Sequence, residues 1–77
     1  MPRYFFDIQD GEFAKDHEGT EFPDLDAARV IAVETATEIV RRFAREILRT
    51  REWALTCRDE GGDTLFTVAF TVGDGPA

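Results

Sequence analysis

The stretch DLDAARVIAVETATEIVRRFAREIL, residues 24–48, decides the fold of this chain. Neither glycine nor proline interrupts it, and its apolar residues recur with a period near 3.6, which is typical of an amphipathic helix. Asp24 follows Pro23 and is a good N-cap residue, so we predict one helix over residues 24–48. The apolar stripe of this helix consists of Ala28, Ile31, Ala32, Ala36, Ile39, Val40, Phe43, Ile47 and Leu48.

On both sides of the helix, apolar and polar residues alternate with the period of two expected of β-strands. The predicted strands are residues 3–9, 12–15, 52–58 and 64–72. Asp10-Gly11 is predicted to be the turn of the first pair, and the polar, glycine-containing residues 59–63 the turn of the second. We predict a loop at residues 16–23 and a tail at residues 73–77.

These elements predict a single α+β domain over residues 1–77 with the element order β-β-α-β-β. If the two hairpins join through their first strands, the sheet is four-stranded and antiparallel with the strand order 2-1-3-4. One long helix then packs on one face of the sheet. The other face is predicted to be semi-polar and carries Phe5, Asp7, Thr56, Arg58, Leu65, Thr67 and Ala69.

Composition restricts the ways in which so short a chain can be stabilised. Its 77 residues include one cysteine, Cys57, and one histidine, His17, so an intrachain disulfide is impossible and a Cys/His zinc site is not expected. We predict no metal and no other cofactor. No apolar run reaches the ~20 residues of a membrane span and no secretory leader is recognisable, so we expect a cytoplasmic protein without membrane contact.

The length of the predicted helix suggests self-association. A helix over residues 24–48 would span about 37 Å, whereas strands of this length span about 25 Å. About two turns of helix should therefore extend beyond the sheet, and these turns carry Phe43, Ile47 and Leu48. A second copy of the chain is the simplest cover for such an apolar surface, so we predict a homodimer, or contact with another protein, through these residues.

A group of arginines near the end of the helix offers an alternative function. Arg41, Arg45 and Arg49 are spaced one helical turn apart and could bind phosphates or the acidic surface of a partner. The chain has a net charge of −7, which opposes nucleic-acid binding, and complementation of the helix dipole already accounts for cations at this end. A small regulatory protein that contacts nucleic acid or a toxin-like partner is therefore the second hypothesis.

Two sequence motifs resemble a known family. The opening MPRYFFDIQDGE and the pattern D-x-E-G-T-E-x-P-D-L-x-A-A-R over Asp16–Arg29 resemble short bacterial proteins of unknown function. Those proteins open with MPRYFF and Asp or His, then carry a Gly-Thr-x-Leu-Pro-Asp loop before an alanine-rich helix; Phe22 stands here where Leu is usual. The resemblance implies the same element boundaries and no activity that can be assigned to particular residues.

The side chains that could carry catalysis have simpler explanations. An acidic cluster around the first hairpin does not fit the spacing of a Ca²⁺-binding loop and is interpreted as turn residues. Cys57 alternates with Trp53 and Leu55 and is predicted to be buried. We therefore predict a non-enzymatic interaction or scaffold module. The cluster consists of Asp7, Asp10, Glu12, Asp16, His17 and Glu18.

Overall fold

The structure is a computed structural model that describes residues 1–76. It is an α+β fold with an open antiparallel sheet, as predicted. In chain order its elements are β1 (Arg3–Gln9), β2 (Phe13–Ala14), β3 (Thr20–Glu21), α1 (Leu25–Arg42), α2 (Ala44–Thr50), β4 (Glu52–Arg58) and β5 (Thr64–Thr71).

The sheet has five strands rather than the predicted four. Its main path is β2-β1-β4-β5, and β3 pairs with β1 beside β2. The extra strand lies within residues 16–23, which were predicted to form a loop, and β2 is shorter than the predicted strand over residues 12–15. Both corrections have one cause: β1 is long enough to pair with two short segments, with Ile8 opposite Ala14 on β2 and Tyr4 opposite Thr20 on β3.

The prediction of one continuous helix over residues 24–48 is wrong. The chain leaves helical geometry at Phe43, where φ is −113° and ψ is 35°, and a second helix runs from Ala44 to Thr50. Asp24 caps α1 as predicted, because its carboxylate accepts a hydrogen bond from the Ala27 amide at 2.8 Å. The 18 residues of α1 span about 27 Å, close to the length of the strands beneath it.

The break at Phe43 buries one of the three residues of the predicted apolar overhang. Ile47 is only 4% exposed and packs with Trp53 and Leu55 in the core. The apolar period continues through the break, since Ile39, Phe43 and Ile47 keep helical spacing, so the pattern gave no sign of a change in direction. Ile47 is therefore a core residue and does not belong to an exposed surface, which corrects one of the predicted interface residues.

The helix meets the sheet through small side chains. Ala28, Ala32 and Ala36 are buried on the inner side of α1, and β4 lies beneath them with Trp53, Leu55 and Cys57. Side chains of this size allow the helix axis to lie close to the sheet. Phe6, Ile8, Phe66 and Val68 pack around this contact and are only partly buried. The core is therefore thin, and β4 lies at its centre.

Residues 73–76 follow β5 without helix or strand, and Ala77 of the predicted tail lies outside the described residues. Arg51 ties this segment to the end of α2, since its guanidinium lies 3.1 Å from the Asp74 carboxylate. Neither α1 nor α2, the helices found within residues 1–76, has the length and apolarity needed to cross a membrane.

Gly19 occupies a position that excludes any side chain. Its φ is +70°, and a Cβ atom there would lie 2.8 Å from Cε2 of Phe5 and 2.9 Å from Cγ of Arg3. Gly62 also has positive φ, at +92°, but no atom lies within 4 Å of the position of its Cβ. Both glycines therefore need positive φ, but a Cβ atom would clash with neighbouring side chains only at Gly19.

We expect Gly19→Ala to destabilise the fold by about 2 kcal/mol or more, because it combines backbone strain with a clash against Phe5 and Arg3. Gly62→Ala is the matched control and should cost only about 1 kcal/mol, the strain alone. Urea unfolding of both variants measures the difference. Equal losses of stability would contradict the close approach of Phe5 to Gly19.

Candidate functional site

The loop between β2 and β3 is held to β1 by one carboxylate. Asp16 accepts hydrogen bonds from the backbone amides of Phe6 at 3.1 Å, Glu18 at 3.1 Å and Gly19 at 3.0 Å. Phe6 lies on β1 between the residues paired to β2 and those paired to β3. The Asp16 side chain therefore takes the place of a strand backbone where the edge of the sheet is interrupted.

A buried ion pair joins this loop to the centre of the sheet. Nε of Arg58 on β4 donates to the Asp7 carboxylate on β1 at 2.8 Å, and Nη2 donates to the Asp16 carbonyl at 2.6 Å. Asp7 is 6% exposed, and its second oxygen accepts from the Asp16 amide at 2.9 Å. The guanidinium also lies 4.6 Å from the centre of the Phe5 ring, in cation–π geometry.

Two members of the predicted acidic cluster are therefore structural rather than solvated turn residues. Asp7 is a strand residue paired with Arg58, and Asp16 is the acceptor for three amides. Removing one partner from such a buried pair is costly, because it leaves the other charge uncompensated. The Asp7–Arg58–Asp16 network is satisfied internally and fastens the loop over the face of the sheet opposite α1.

Burial by itself raises the pKa of the Asp16 carboxyl, but the hydrogen bonds from Gly19, Phe6 and Glu18 oppose it. Together with the charge of Arg58, they hold the pKa of Asp16 below its ordinary value of 3.8. The ionised form is therefore the one that the fold stabilises. The attachment of the loop to β1 therefore depends on pH.

The chemistry available at the other candidate side chains is limited. Burial, followed by the charges of Asp59 and Asp7, raises the pKa of the Cys57 thiol to about 11, so the nucleophilic thiolate is scarce at neutral pH. His17 is exposed on the loop. Within residues 1–76, no three His, Cys, Asp or Glu side chains are grouped closely enough to hold a metal ion.

The predicted interface residues lie at the end of the molecule where α1 meets α2. Phe43 and Leu48 are 46% and 53% exposed, whereas Ile47 is buried. Arg41, Arg45 and Arg49 are also exposed, but the break at Phe43 places the first on α1 and the other two on α2. The arginines therefore do not form the stripe along one straight helix that their spacing predicted.

A cavity of about 330 Å³ lies beside this helical end. Ile39, Phe43, Ile47 and Trp53 line its apolar wall. Nε1 of Trp53 is buried and has no hydrogen-bond partner among the described residues. The cavity is the space left where α2 diverges from the line of α1, next to the first hairpin.

The two edges of the sheet differ in a way that bears on interaction. The edge formed by β2 and β3 consists of two short strands separated by the loop with Lys15, Asp16 and Glu18. The opposite edge is β5, which has eight residues, TLFTVAFT, with no charge and no proline. Charges and interruptions protect an edge strand from pairing with another chain, and β5 lacks both.

An apolar strip of α1 lies beside the β5 edge. Thr37 and Val40 share a groove with Val68 and Phe70, and Val33 lies one helical turn before Thr37. Val33 and Phe70 are 53% and 43% exposed. This surface was not predicted from the sequence, although an uncharged final strand at the end of the predicted strand order was the available signal.

Comparison with known families gives a match over most of the chain. The model of Domain of unknown function (DUF6894) matches residues 3–71. The chain belongs to this family. This agrees with the predicted resemblance to a family of unknown function, while the motif details of that resemblance stay a prediction. No curated protein and no solved structure matches the chain.

In this DUF6894 chain, we expect Asp16→Asn to lower stability by about 1–3 kcal/mol near neutral pH, because the charged acceptor of three amides is lost. The folded pKa of Asp16 is depressed, so its contribution is present above the unfolded value and is lost as pH falls through the folded value. The variant should therefore lose less stability than wild type between about pH 5 and pH 2.

Urea unfolding across this pH range measures the effect. Asp10→Asn is the control, because Asp10 is exposed at the neighbouring turn and its replacement should change stability by less than about 0.5 kcal/mol. Identical acid dependence of wild type and Asp16→Asn would contradict the role of Asp16 as the charged support of the loop.

Proposed function

We propose that this domain is a non-enzymatic protein-interaction module that works as a homodimer. The observation that carries the proposal is the distribution of side-chain size around α1. Ala28, Ala32 and Ala36 are buried against the sheet, whereas two larger aliphatic residues, Val30 and Val33, are 57% and 53% exposed. In a monomer such side chains are expected to face the core, as Leu25, Ile39 and Val40 of the same helix do.

The thin core supports the same proposal. Three of the eight buried hydrophobic residues among those described are alanines. A chain of 77 residues buries a smaller share of its surface on folding than a larger domain does, and association with a partner is a common source of further stability at this size. Other large apolar side chains are exposed as well, and they include Phe13, Phe43, Leu48 and Phe70.

We expect the purified protein to have a mass of twice 8.7 kDa by light scattering at micromolar concentration. Dilution should shift the population toward the monomer, and thermal stability should fall with it, because dissociation and unfolding are linked. A mass of 8.7 kDa at every concentration, with no dependence of unfolding on concentration, would contradict the homodimer.

A second candidate function is contact with an anionic partner, either nucleic acid or an acidic, toxin-like protein, at the helical end. One observation favours it. Among the described residues, no carboxylate lies within 4.0 Å of Arg41, Arg45 or Arg49, whereas Arg42 pairs with Glu38 at 3.7 Å. Exposed Phe43 and Leu48 lie near these arginines in sequence and would add apolar contact. The net charge of −7 opposes this function for nucleic acid.

For the nucleic-acid form of this function, we expect affinity for a labelled oligonucleotide to fall steeply with salt. The double variant Arg41→Glu/Arg45→Glu should abolish the binding, while Arg42→Gln, whose side chain is already paired, should reduce it less. Fluorescence anisotropy measures both effects. Binding that is absent at low salt, or unchanged in the double variant, excludes a nucleic-acid role for these arginines.

A further inference from the structure

We propose that the second copy binds along the free edge of β5, so that two sheets join through an antiparallel, two-fold symmetric β5–β5 pair. This inference rests on the proposed homodimer and adds where the two copies meet. It places the contact on β5 and the adjoining side of α1 rather than on the helical end with Phe43 and Leu48.

The direction of the backbone groups on β5 follows from one hydrogen bond. The Val72 amide donates to the Arg51 carbonyl at 2.8 Å, so it points toward β4. Pairing continues regularly from there, with Phe70 opposite Trp53 and Val68 opposite Leu55. Since backbone groups alternate along a strand, the amides and carbonyls of Thr67, Ala69 and Thr71 point away from β4, toward the free edge.

This alternation selects a self-complementary register. If Thr67 lies opposite Ala69 of the second copy, the outward groups of both strands exchange hydrogen bonds, and Val68 lies on the symmetry axis. Phe66 then lies opposite Phe70 of the second copy on the helix side of the sheet. Aromatic and β-branched cross-strand pairs of this kind are favourable, and no charged side chain of β5 enters the contact.

The side of α1 next to β5 completes the surface. The Arg29 guanidinium lies 5.9 Å from the centre of the Phe66 ring, and Thr37 borders the groove with Val68 and Phe70. Val33 lies one turn from both Arg29 and Thr37, so its exposed side chain is on the same side of the helix. An axis perpendicular to the sheet brings the two copies of α1 together on one face, with Val33 between them.

The charges of α1 are arranged to match a second, antiparallel copy. Its first turn follows Asp24 and carries Asp26, and its last turn carries Arg41 and Arg42. The two-fold axis reverses one helix relative to the other, so the acidic end of each approaches the basic end of its neighbour. The same reversal places opposite ends of the two helix dipoles together.

The test uses the full chain and three variants, each checked by circular dichroism for native structure. Val33→Asp puts a charge at the axis, and Ala69→Pro removes an outward-facing amide without removing a bond to β4. Ile31→Asp is the matched control, because Ile31 is 41% exposed but lies about 200° around the helix from Val33. Light scattering gives the mass of each variant.

We expect wild type and Ile31→Asp to be dimers, and Val33→Asp and Ala69→Pro to have half their mass. In wild type, the amides of Thr67 and Ala69 should exchange slowly with solvent, and dilution should remove this protection, since only pairing with a second copy covers them. If Ala69→Pro fails to fold, Val33→Asp and the exchange of these two amides decide the question.

Two results separate this inference from the proposed function. A wild-type dimer that persists in Val33→Asp and shows fast exchange at Thr67 and Ala69 would overturn the β5 contact while leaving the homodimer in place. A further variant, Leu48→Glu, would then show whether the helical end is the interface. A monomeric wild type would overturn both.

Discussion

Ala28, Ala32 and Ala36 of α1 rest directly on β4, and much of the structure depends on this close contact. Alanine side chains bring helix and sheet together and leave little volume between them for larger groups. Trp53 and Leu55 fill that volume from below, while Val30, Ile31 and Val33 of α1 remain exposed. The contact therefore determines both the thin core and the apolar exterior of the helix.

The opposite face of the sheet is closed by a polar network instead of a second layer of helices. Arg58 binds Asp7 and the Asp16 carbonyl, and the Asp16 carboxylate in turn accepts from the Phe6 amide, which an edge strand would otherwise satisfy. Each of these groups has partners within the network, so its burial does not leave an unpaired charge. The network also fixes the interrupted edge of β2 and β3, which makes that edge unsuitable for pairing with another chain.

The sequence predicted features that depend on local periodicity and failed where distant residues determine geometry. The α+β class, the N-cap at Asp24 and the burial of Cys57 follow from local spacing and residue type, and the structure contains all three. The break at Phe43 depends on packing of Ile47 against Trp53, which the unbroken apolar period could not reveal. Strand β3 forms because backbone groups of β1 are free to pair with it. This pairing depends on the three-dimensional fold and has no local signal in the sequence.

For the candidate surfaces too, the sequence predicted what depends on neighbouring residues and could not predict contacts between distant ones. Exposure of Phe43 and Leu48 agrees with an apolar helical end, but burial of Ile47 depended on the direction of α2. The acidic cluster was visible in the sequence, whereas the partner that gives Asp7 its structural role, Arg58, is 51 residues away along the chain. Pattern alone could place Arg58 and Asp7 on one face of the sheet, but it could not show that they bind each other.

Net charge of −7 on each chain would oppose dimer formation if the acids were spread evenly. The sheet order β2-β1-β4-β5 places the acid-rich first hairpin at the edge remote from β5, whereas Asp59, Glu60 and Asp63 lie in the turn that leads into β5. Neighbouring strands lie about 4.8 Å apart, so a β5–β5 contact would hold the two β2 strands about 34 Å from each other. This distance is several times the Debye length of about 8 Å at physiological salt. An uncharged β5 and a distant first hairpin thus lower the electrostatic repulsion that the proposed β5–β5 contact would have to overcome, and the acids of the β4–β5 turn would supply most of what remains.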